Sequence, residues 1–177
     1  EASRETKGQI YNSGVILSED GDPELLLASP VYVRDSLQGV VAVNLKWSLV
    51  RSLLAKHDFT DAGYAYIIND NGVIVSHPDY DFSDQRDLSS DKYGELANVV
   101  SERMLNGESG TAEYSFQSTK QEVSFKPLHV GEKLYSMAVT LPVREFKKPV
   151  RDLEQSAEEI FASQVRNLLI ISGICIV

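Results

Sequence analysis

Alternation of apolar and polar side chains predicts β-strands in several parts of this chain. The runs LLLASPVYV (residues 25–33) and GVVAVNLKW (residues 39–47) both suit strands, and the polar residues between them predict a hairpin or meander. Ser48 then suits the cap of a short helix. Helical spacing places four apolar side chains on one face of that helix: Leu49, Val50, Leu53 and Leu54.

The pattern along residues 63–142 predicts a second group of elements, in the order strand, strand, helix, strand, strand, strand. The helix ends at Asn106-Gly107, and its marker positions are Tyr93, Leu96, Ala97, Val100 and Met104. The three later strand candidates are residues 111–117, 121–126 and 133–141. This segregated order favours an α+β fold in which an antiparallel sheet carries helices on one side.

The stretch YAYIINDNGVIVSHPD (residues 64–79) predicts a tight hairpin, because Asn-Gly between apolar runs favours a two-residue type I′ turn. With Asn71-Gly72 as the central residues, the predicted pairs are Ile68 with Val75, Tyr66 with His77, and Tyr64 with Asp79. Side chains alternate along a strand, so Val75 shares the face of these tyrosines while Ile74 lies on the other face. One face therefore ends in two phenols, an imidazole and a carboxylate.

Such a face has two interpretations. Aromatic rings can form the apolar walls of a small-molecule site while the heteroatoms supply directional hydrogen bonds. The same face can instead be a sheet edge whose polar tips pair with one another or with water.

Composition excludes several function classes. The 177-residue chain has a net charge of −9 and a pI near 4.8, so nucleic-acid phosphates would be repelled. Cys175 is the only cysteine, which excludes an internal disulfide and a cysteine-based zinc site. Neither a Gly-x-Ser-x-Gly elbow nor a glycine-rich phosphate loop occurs, so we expect no catalytic residues and no cofactor in this part of the protein.

Metal binding is a minor interpretation. The loop Asp79-Tyr80-Asp81-Phe82-Ser83-Asp84 resembles a loose calcium loop, but the glycine and closing glutamate of an EF-hand are missing. His77 and Asp79 supply two ligands for a transition metal without a third. We therefore expect a solvated acidic loop and no metal.

The C-terminal part predicts a long helix that leads into an apolar segment. After Pro142, five apolar residues alternate spacings of four and three, as in a coiled coil: Phe146, Val150, Leu153, Ala157 and Ile160. The run LLIISGICIV (residues 168–177) has ten uncharged residues, whereas a membrane helix needs about 20. We interpret it as the start of a transmembrane helix; the alternative is a terminal core helix.

Three stretches in order carry a family resemblance: ASPVYVRDSLQGVVAVNLKWSLVRSLL, GYAYIINDNGVIVSHPD and VGEKLYSMAVTLPVREF. Over residues 10–165 the chain resembles the extracytoplasmic Cache domains of chemoreceptors and sensor histidine kinases, in particular the double arrangement of two PAS-like modules. The resemblance implies a PAS-like, antiparallel five-stranded sheet flanked by helices. The implied parts are the end of an incomplete membrane-distal module (1–47), a crossover helix and linker (48–62), a membrane-proximal module (63–142), a signalling helix (143–167) and the start of a transmembrane helix (168–177).

The implied function is ligand sensing outside the cytoplasm, in the periplasm or extracellular space, by a homodimeric receptor of the cell membrane. The expected ligand-binding residues of the proximal module are Tyr64, Tyr66, His77 and Asp79, with Tyr93, Tyr114 and Tyr135 as further walls. Amino-acid binding is not carried over, because this sequence does not include the region where amino-acid-binding members carry an aromatic, arginine and tryptophan motif. The position of their aspartate is also ambiguous here, among Ser18, Glu19, Asp20 and Asp22. The alternative is a spacer or dimerisation module that binds no ligand.

Overall fold

The computed structural model describes residues 9–55 and 63–145. Eight antiparallel strands form two sheets, one of three strands and one of five. The three-stranded sheet, in the order β1-β2-β3, consists of β1 (Tyr11–Leu17), β2 (Pro23–Val33) and β3 (Ser36–Lys46). The five-stranded sheet consists of β4 (Tyr64–Asn69), β5 (Ile74–Ser76), β6 (Gly110–Phe116), β7 (Thr119–Val130) and β8 (Lys133–Pro142). Its spatial order is β5-β4-β8-β7-β6.

Short helices connect the strands. Helix α1 (Trp47–Ala55) follows β3, and α2 (Glu95–Val99) continues directly into one π-helical turn, Val100–Met104. Two single 3₁₀ turns, Phe82–Asp84 and Asp91–Tyr93, lie in the connection between β5 and α2. The sequence-predicted order of elements from residue 63 onward is confirmed, as are the antiparallel sheet and the α+β class.

Strand β1 was not predicted from the pattern. Its segment YNSGVIL interrupts the alternation with Gly14, and the pairing with β2 shifts between Asn12 and Val15. The Asn12 side chain stabilises this irregularity, because its Oδ1 accepts the Gly14 N–H at 2.8 Å and its Nδ2 donates to Val130 O at 2.8 Å. A bulged strand of this kind has no period of two over its full length, so periodicity alone does not reveal it.

The predicted type I′ turn at Asn71-Gly72 is wrong. Gly72 has φ +79°, but Asn71 keeps a negative φ, and the Gly72 N–H donates to Asn69 O at 3.0 Å. The turn is therefore centred on Asp70 and Asn71 and is followed by a left-handed glycine, as in a three-residue hairpin loop. The Asn69 side chain favours this geometry, because its Oδ1 accepts the N–H groups of Asn71 and Val73, both at 3.0 Å.

The predicted register of this hairpin is correct in one half and wrong in the other. Ile68 pairs with Ile74 and not with Val75, whereas Ile67 pairs with Ser76 as predicted, so Val75 forms a bulge. The bulge moves Ile74 onto the face of the tyrosines and Val75 onto the opposite face. Strand β5 ends at Ser76, so the predicted pairing of Tyr64 with Asp79 is absent.

The five-stranded sheet is covered on both faces. On one face the strands pack against the segment of α2 and the π-turn, with Leu96, Val100 and Met104 buried. On the other face Ile67, Val75 and Tyr135 pack against Trp47 of α1 and Val15 of β1. The expectation that helices lie on one side only is therefore wrong, because α1 and the three-stranded sheet cover the face opposite α2.

Helix α1 presents only half of its predicted apolar face to the protein. Val50 and Leu54 pack against the Trp47 cluster, but Leu49 and Leu53 are exposed. On β3, Val41 and Val43 are exposed as well. Trp47, the first residue of the helix, is instead buried, with only 6% of its surface exposed.

The chain divides into two units after Pro142. Val143–Glu145, the described start of the second unit, are helical. The coiled-coil positions from Phe146 to Ile160, the rest of the expected signalling helix and the apolar run 168–177 lie outside the described residues, as does the linker 56–62. In the described ranges, no helix is long and apolar enough to span a membrane.

Candidate ligand-binding site

A cavity of about 40 Å³ lies between one face of the five-stranded sheet and the segment that leads from β5 into α2. Its polar lining consists of five tyrosines and one histidine: Tyr64, Tyr66, His77, Tyr80, Tyr93 and Tyr114. Apolar side chains complete the wall: Ile74, Leu88, Leu96 and Phe116. The sheet face, the bulged end of β5 and the loop after it thus contribute jointly to one small aromatic site.

The structure brings together five of the seven predicted site residues. Tyr64, Tyr66, His77, Tyr93 and Tyr114 all line the cavity.

The other two predicted residues do not line this cavity. The backbone N–H of Asp79 donates to His77 Nδ1 at 3.0 Å, so Asp79 acts on the site through its main chain. Tyr135 lies on the opposite face of the sheet, where its ring centroid is 6.2 Å from that of Trp47. Tyr135 and Ala138 are an odd number of positions apart on β8, so their side chains lie on opposite faces of the sheet. Ala138 is the one that packs on the cavity side.

Two aromatic lining residues were missed in the sequence. Tyr80 stacks near His77, with ring centroids 4.4 Å apart, although it lies beyond the end of β5. Phe116 is the last residue of β6, two positions after Tyr114 on the same strand. The period of two from Tyr114 would have identified Phe116, whereas only the fold of the loop 77–81 places Tyr80.

His77 is held in a neutral form at the edge of the cavity. The residue is 5 % exposed, and its ring centroid lies 4.7 Å from Tyr64 and 6.1 Å from Tyr66. The pKa of His77 is lowered to about 4, mainly by burial; the charge of Asp79 opposes this shift, and the charges of Arg51 and Arg86 contribute to it. Because Nδ1 accepts the Asp79 N–H, the neutral ring carries its proton on Nε2, which is then a hydrogen-bond donor.

Tyr66 carries the most informative polar atom of the site. Its side chain is 2 % exposed, and its hydroxyl has no hydrogen-bond partner among the protein atoms the structure describes. Burial raises the pKa of Tyr66 well above its ordinary value, so the phenol stays protonated. An unsatisfied buried hydroxyl costs about 1–3 kcal/mol, and this cost falls away when a bound molecule accepts the hydrogen bond.

Tyr114 has the opposite hydrogen-bonding role. Its hydroxyl is 2.8 Å from Thr140 Oγ1, and Thr140 Oγ1 itself donates to Glu122 O at 3.1 Å. Since Thr140 has one hydroxyl hydrogen and gives it to the carbonyl, Tyr114 donates its own hydrogen to Thr140. The lone pairs of the Tyr114 oxygen remain available to accept a hydrogen bond.

Two cations at the rim of the cavity lie over rings of its lining. The Arg86 guanidinium is 3.9 Å from the centroid of Tyr80, and Lys92 Nζ is 4.9 Å from that of Tyr93. Two carboxylates of the neighbouring loop form ion pairs: Asp81 with Arg51 at 2.6 Å, and Asp84 with Arg86 itself at 3.4 Å. Among residues 9–55 and 63–145, no group of three or more acidic, histidine or cysteine side chains is arranged to bind a metal ion.

Comparison with known proteins agrees with this fold. The Cache domain family, dCache_1, matches residues 3–150, so the chain belongs to the Cache domain family. Over 78 residues, 44% of this chain and 12% of the relative, it is 27% identical to the methyl-accepting chemotaxis protein PscA of Pseudomonas syringae pv. tomato.

Two solved structures share the fold. The extracellular domain of the putative histidine kinase mmHK1S-Z3 matches with a TM-score of 0.66 and 24% identity, over 82% of this chain and 53% of that one. The ligand-binding domain of the Pseudomonas aeruginosa PAO1 amino acid chemoreceptor PctC, solved in complex with GABA, matches with a TM-score of 0.58 and 24% identity, over 75% of this chain and 56% of that one. The chain therefore spans about half the length of these sensor domains.

Proposed function

We propose that this chain is an extracytoplasmic sensor domain of a transmembrane receptor and that its five-stranded module binds a small molecule in the tyrosine-lined cavity. The observation that carries the proposal is the buried Tyr66 hydroxyl, which has no protein partner in the described ranges and belongs to a residue that lines this cavity. Membership of the Cache family supports the sensor class, and PctC, which shares the fold, was solved with GABA bound. The binding residues of the proposal are Tyr64, Tyr66, His77, Tyr93 and Tyr114.

We further propose that residues 1–47 are the end of a membrane-distal module and that residues 63–142 are the membrane-proximal module. An internal correspondence supports this division. Strands β1-β2-β3 and β6-β7-β8 are both antiparallel meanders followed by a helix, and Ala42-Val43-Asn44-Leu45 matches Ala138-Val139-Thr140-Leu141 in all but one position. Strand β8, the counterpart of β3 in this comparison, pairs with β7 on one edge and with β4 on the other. A strand equivalent to β4, placed beside β3, would cover part of the exposed apolar side chains of β3.

The proposed output runs through residues 143–167 to a membrane segment that begins at 168. A ligand changes such an output only if it binds one of two arrangements of the receptor more tightly than the other. The coiled-coil spacing of residues 146–160 supports a homodimer, in which paired helices report this difference across the membrane. Any kinase or methyl-accepting activity belongs to a cytoplasmic part of the receptor.

Thermal unfolding of the full chain against amino acids, carboxylates, amines, amides and sugars tests the proposal. A compound that binds the folded state raises Tm in a concentration-dependent way. The variant Tyr66→Phe should lose this response, while Tyr135→Phe should keep it, because Tyr135 is equally buried on the opposite face. Equal responses in both variants would contradict binding in this cavity.

A second function, a spacer that binds no ligand, is favoured by the small volume of the cavity. A water molecule requires about 10–15 Å³ of such volume, so 40 Å³ corresponds to roughly three waters. If the spacer is the correct function, no compound raises Tm and Tyr66→Phe leaves signalling by the intact receptor unchanged.

A further inference from the structure

The chemical class of the ligand follows from the charge, polarity and size of the tyrosine-lined cavity, and this inference rests on the proposed function. Its lining contains no aspartate, glutamate, lysine or arginine. Burial raises the pKa of Tyr64, Tyr66 and Tyr114 and lowers that of His77, so all four remain neutral. A charged group inside would lose its hydration, and no side chain of the lining would supply an opposite charge, which is unfavourable.

The rim makes a cationic ligand unfavourable as well. Tyrosine rings attract ammonium groups, so a cavity lined by five tyrosines could be interpreted as a cation-binding site. Here Lys92 and Arg86, which is itself paired with Asp84, already lie over Tyr93 and Tyr80, so these two rings already have a cation partner. The aromatic walls therefore serve as apolar surface rather than as a cation cage.

Polar groups of both kinds lie in the same wall. Tyr66 offers an O–H donor and His77 offers Nε2–H, whereas Tyr114 spends its hydrogen on Thr140 and offers an acceptor. A ligand that satisfies them carries at least one acceptor and one donor. The volume corresponds to roughly three water molecules, so the cavity accommodates a ligand of about three or four non-hydrogen atoms.

We propose that the cavity binds a small uncharged molecule that combines a carbonyl acceptor with N–H donors, of the primary amide or urea type. The carbonyl oxygen accepts from Tyr66 and His77, and the N–H group donates to the Tyr114 oxygen. The rings of the remaining lining residues enclose its faces.

Three probes of nearly equal shape and different charge test this class: acetamide, acetate and acetamidinium. Each is titrated into the full chain at pH 7 while the methyl signals of Ile74 and Ile67 are followed by NMR. Ile74 lines the cavity, and Ile67 is equally buried on the opposite face, so it is the internal control. We expect acetamide to shift the Ile74 signal in a saturable way at millimolar concentration, with at least tenfold weaker binding of both charged probes and no saturable shift of Ile67.

The variants Tyr66→Phe and Tyr135→Phe complete the test. The first should weaken acetamide binding about tenfold or more, because it removes one hydrogen bond that binding makes; the second should leave it unchanged. Saturable, Tyr66-dependent binding of acetate or acetamidinium at equal or higher affinity would overturn the uncharged class but keep the proposed site. Absence of any saturable shift at Ile74, with all three probes, would overturn both.

Discussion

His77 illustrates how the tertiary environment sets the chemistry of a single residue. From the sequence alone, His77 is one of two ligands, with Asp79, that a transition metal could use. In the structure it is enclosed by the rings of Tyr64 and Tyr80 and accepts the Asp79 N–H, so it is a neutral donor at pH 7. Neutral histidine suits an uncharged ligand, whereas imidazolium would favour an anion.

This neutrality predicts a pH-dependent stability. The folded pKa of about 4 lies below the ordinary value of 6.5, so the unfolded chain takes up a proton between these values and the folded chain does not. The free energy of unfolding therefore falls as the pH falls through this window, by up to about 2 kcal/mol between pH 7 and 5. Urea denaturation at both pH values should show this loss in the wild-type chain and a smaller loss in His77→Gln.

Titration of the His77 ring by NMR provides the independent check. A midpoint near the ordinary value of 6.5, together with equal losses of stability in the wild type and in His77→Gln, would contradict the buried neutral histidine.

The hairpin of β4 and β5 shows how an element depends on a neighbouring segment. Its turn docks against residues 86–89: Ile74 N donates to Arg86 O at 2.8 Å, and Leu88 N donates to Gly72 O at 2.9 Å. Asp87 Oδ1 accepts the N–H and the hydroxyl of Ser89 immediately beside Gly72. This docking, together with the Asn69 side chain, selects the observed turn over type I′ geometry.

Gly72→Ala should destabilise the protein for two separable reasons. Its φ of +79° is unfavourable for any side chain, and an added Cβ would lie 2.9 Å from Asp87 Oδ1 and 3.2 Å from Ser89 Oγ. We expect a loss of about 2–3 kcal/mol in the free energy of unfolding, measured by chemical denaturation.

Gly14→Ala is the matched control for that change. Gly14 has φ +74°, but an added Cβ meets no atom within 4 Å, so only the backbone strain remains, at about 1 kcal/mol. Equal losses in the two variants would show that the docking of the turn against Asp87 contributes nothing.

At the scale of the whole described unit, the two sheets share one core cluster. Trp47 lies at its centre, donates its indole N–H to Val75 O and contacts the ring of Tyr135. Arg51, one turn later on α1, donates to Pro78 O at 2.8 Å and pairs with Asp81. Helix α1 thus holds the segment 75–81 from one side while His77 and Tyr80 of the same segment face the cavity.

The shared cluster predicts cooperative unfolding of both sheets. Trp47 is the only tryptophan of the chain, so its fluorescence reports this cluster, whereas far-UV circular dichroism reports all strands. Both signals should give the same denaturation midpoint. Val15→Ala, in β1, should lower both midpoints together through a loss of roughly 2 kcal/mol.

Val41→Ala is the control for that experiment, because Val41 is exposed on β3 and its substitution should change stability by less than about 0.5 kcal/mol. Separate midpoints for fluorescence and circular dichroism would contradict a common cooperative unit.

The sequence by itself determined the element order from residue 63, the antiparallel class and the association of Tyr64, Tyr66 and His77, because these depend on local alternation and on sterics within a few residues. The structure decided what depends on long-range packing. The bulge at Val75 exchanged two side chains between the faces, and the phase of β8 placed Tyr135 away from the cavity that Tyr114 enters.

Charge and hydrogen-bonding roles were likewise decided only by tertiary structure. Three such properties depend on groups brought together from β4, β6, β8 and the loop after β5. The Tyr66 hydroxyl has no hydrogen-bond partner within residues 9–55 and 63–145, Tyr114 gives its hydrogen to Thr140, and His77 is neutral. Periodicity specifies which side of its own strand a side chain occupies, whereas the neighbours across the core, and therefore its desolvation and hydrogen bonds, depend on how the elements pack.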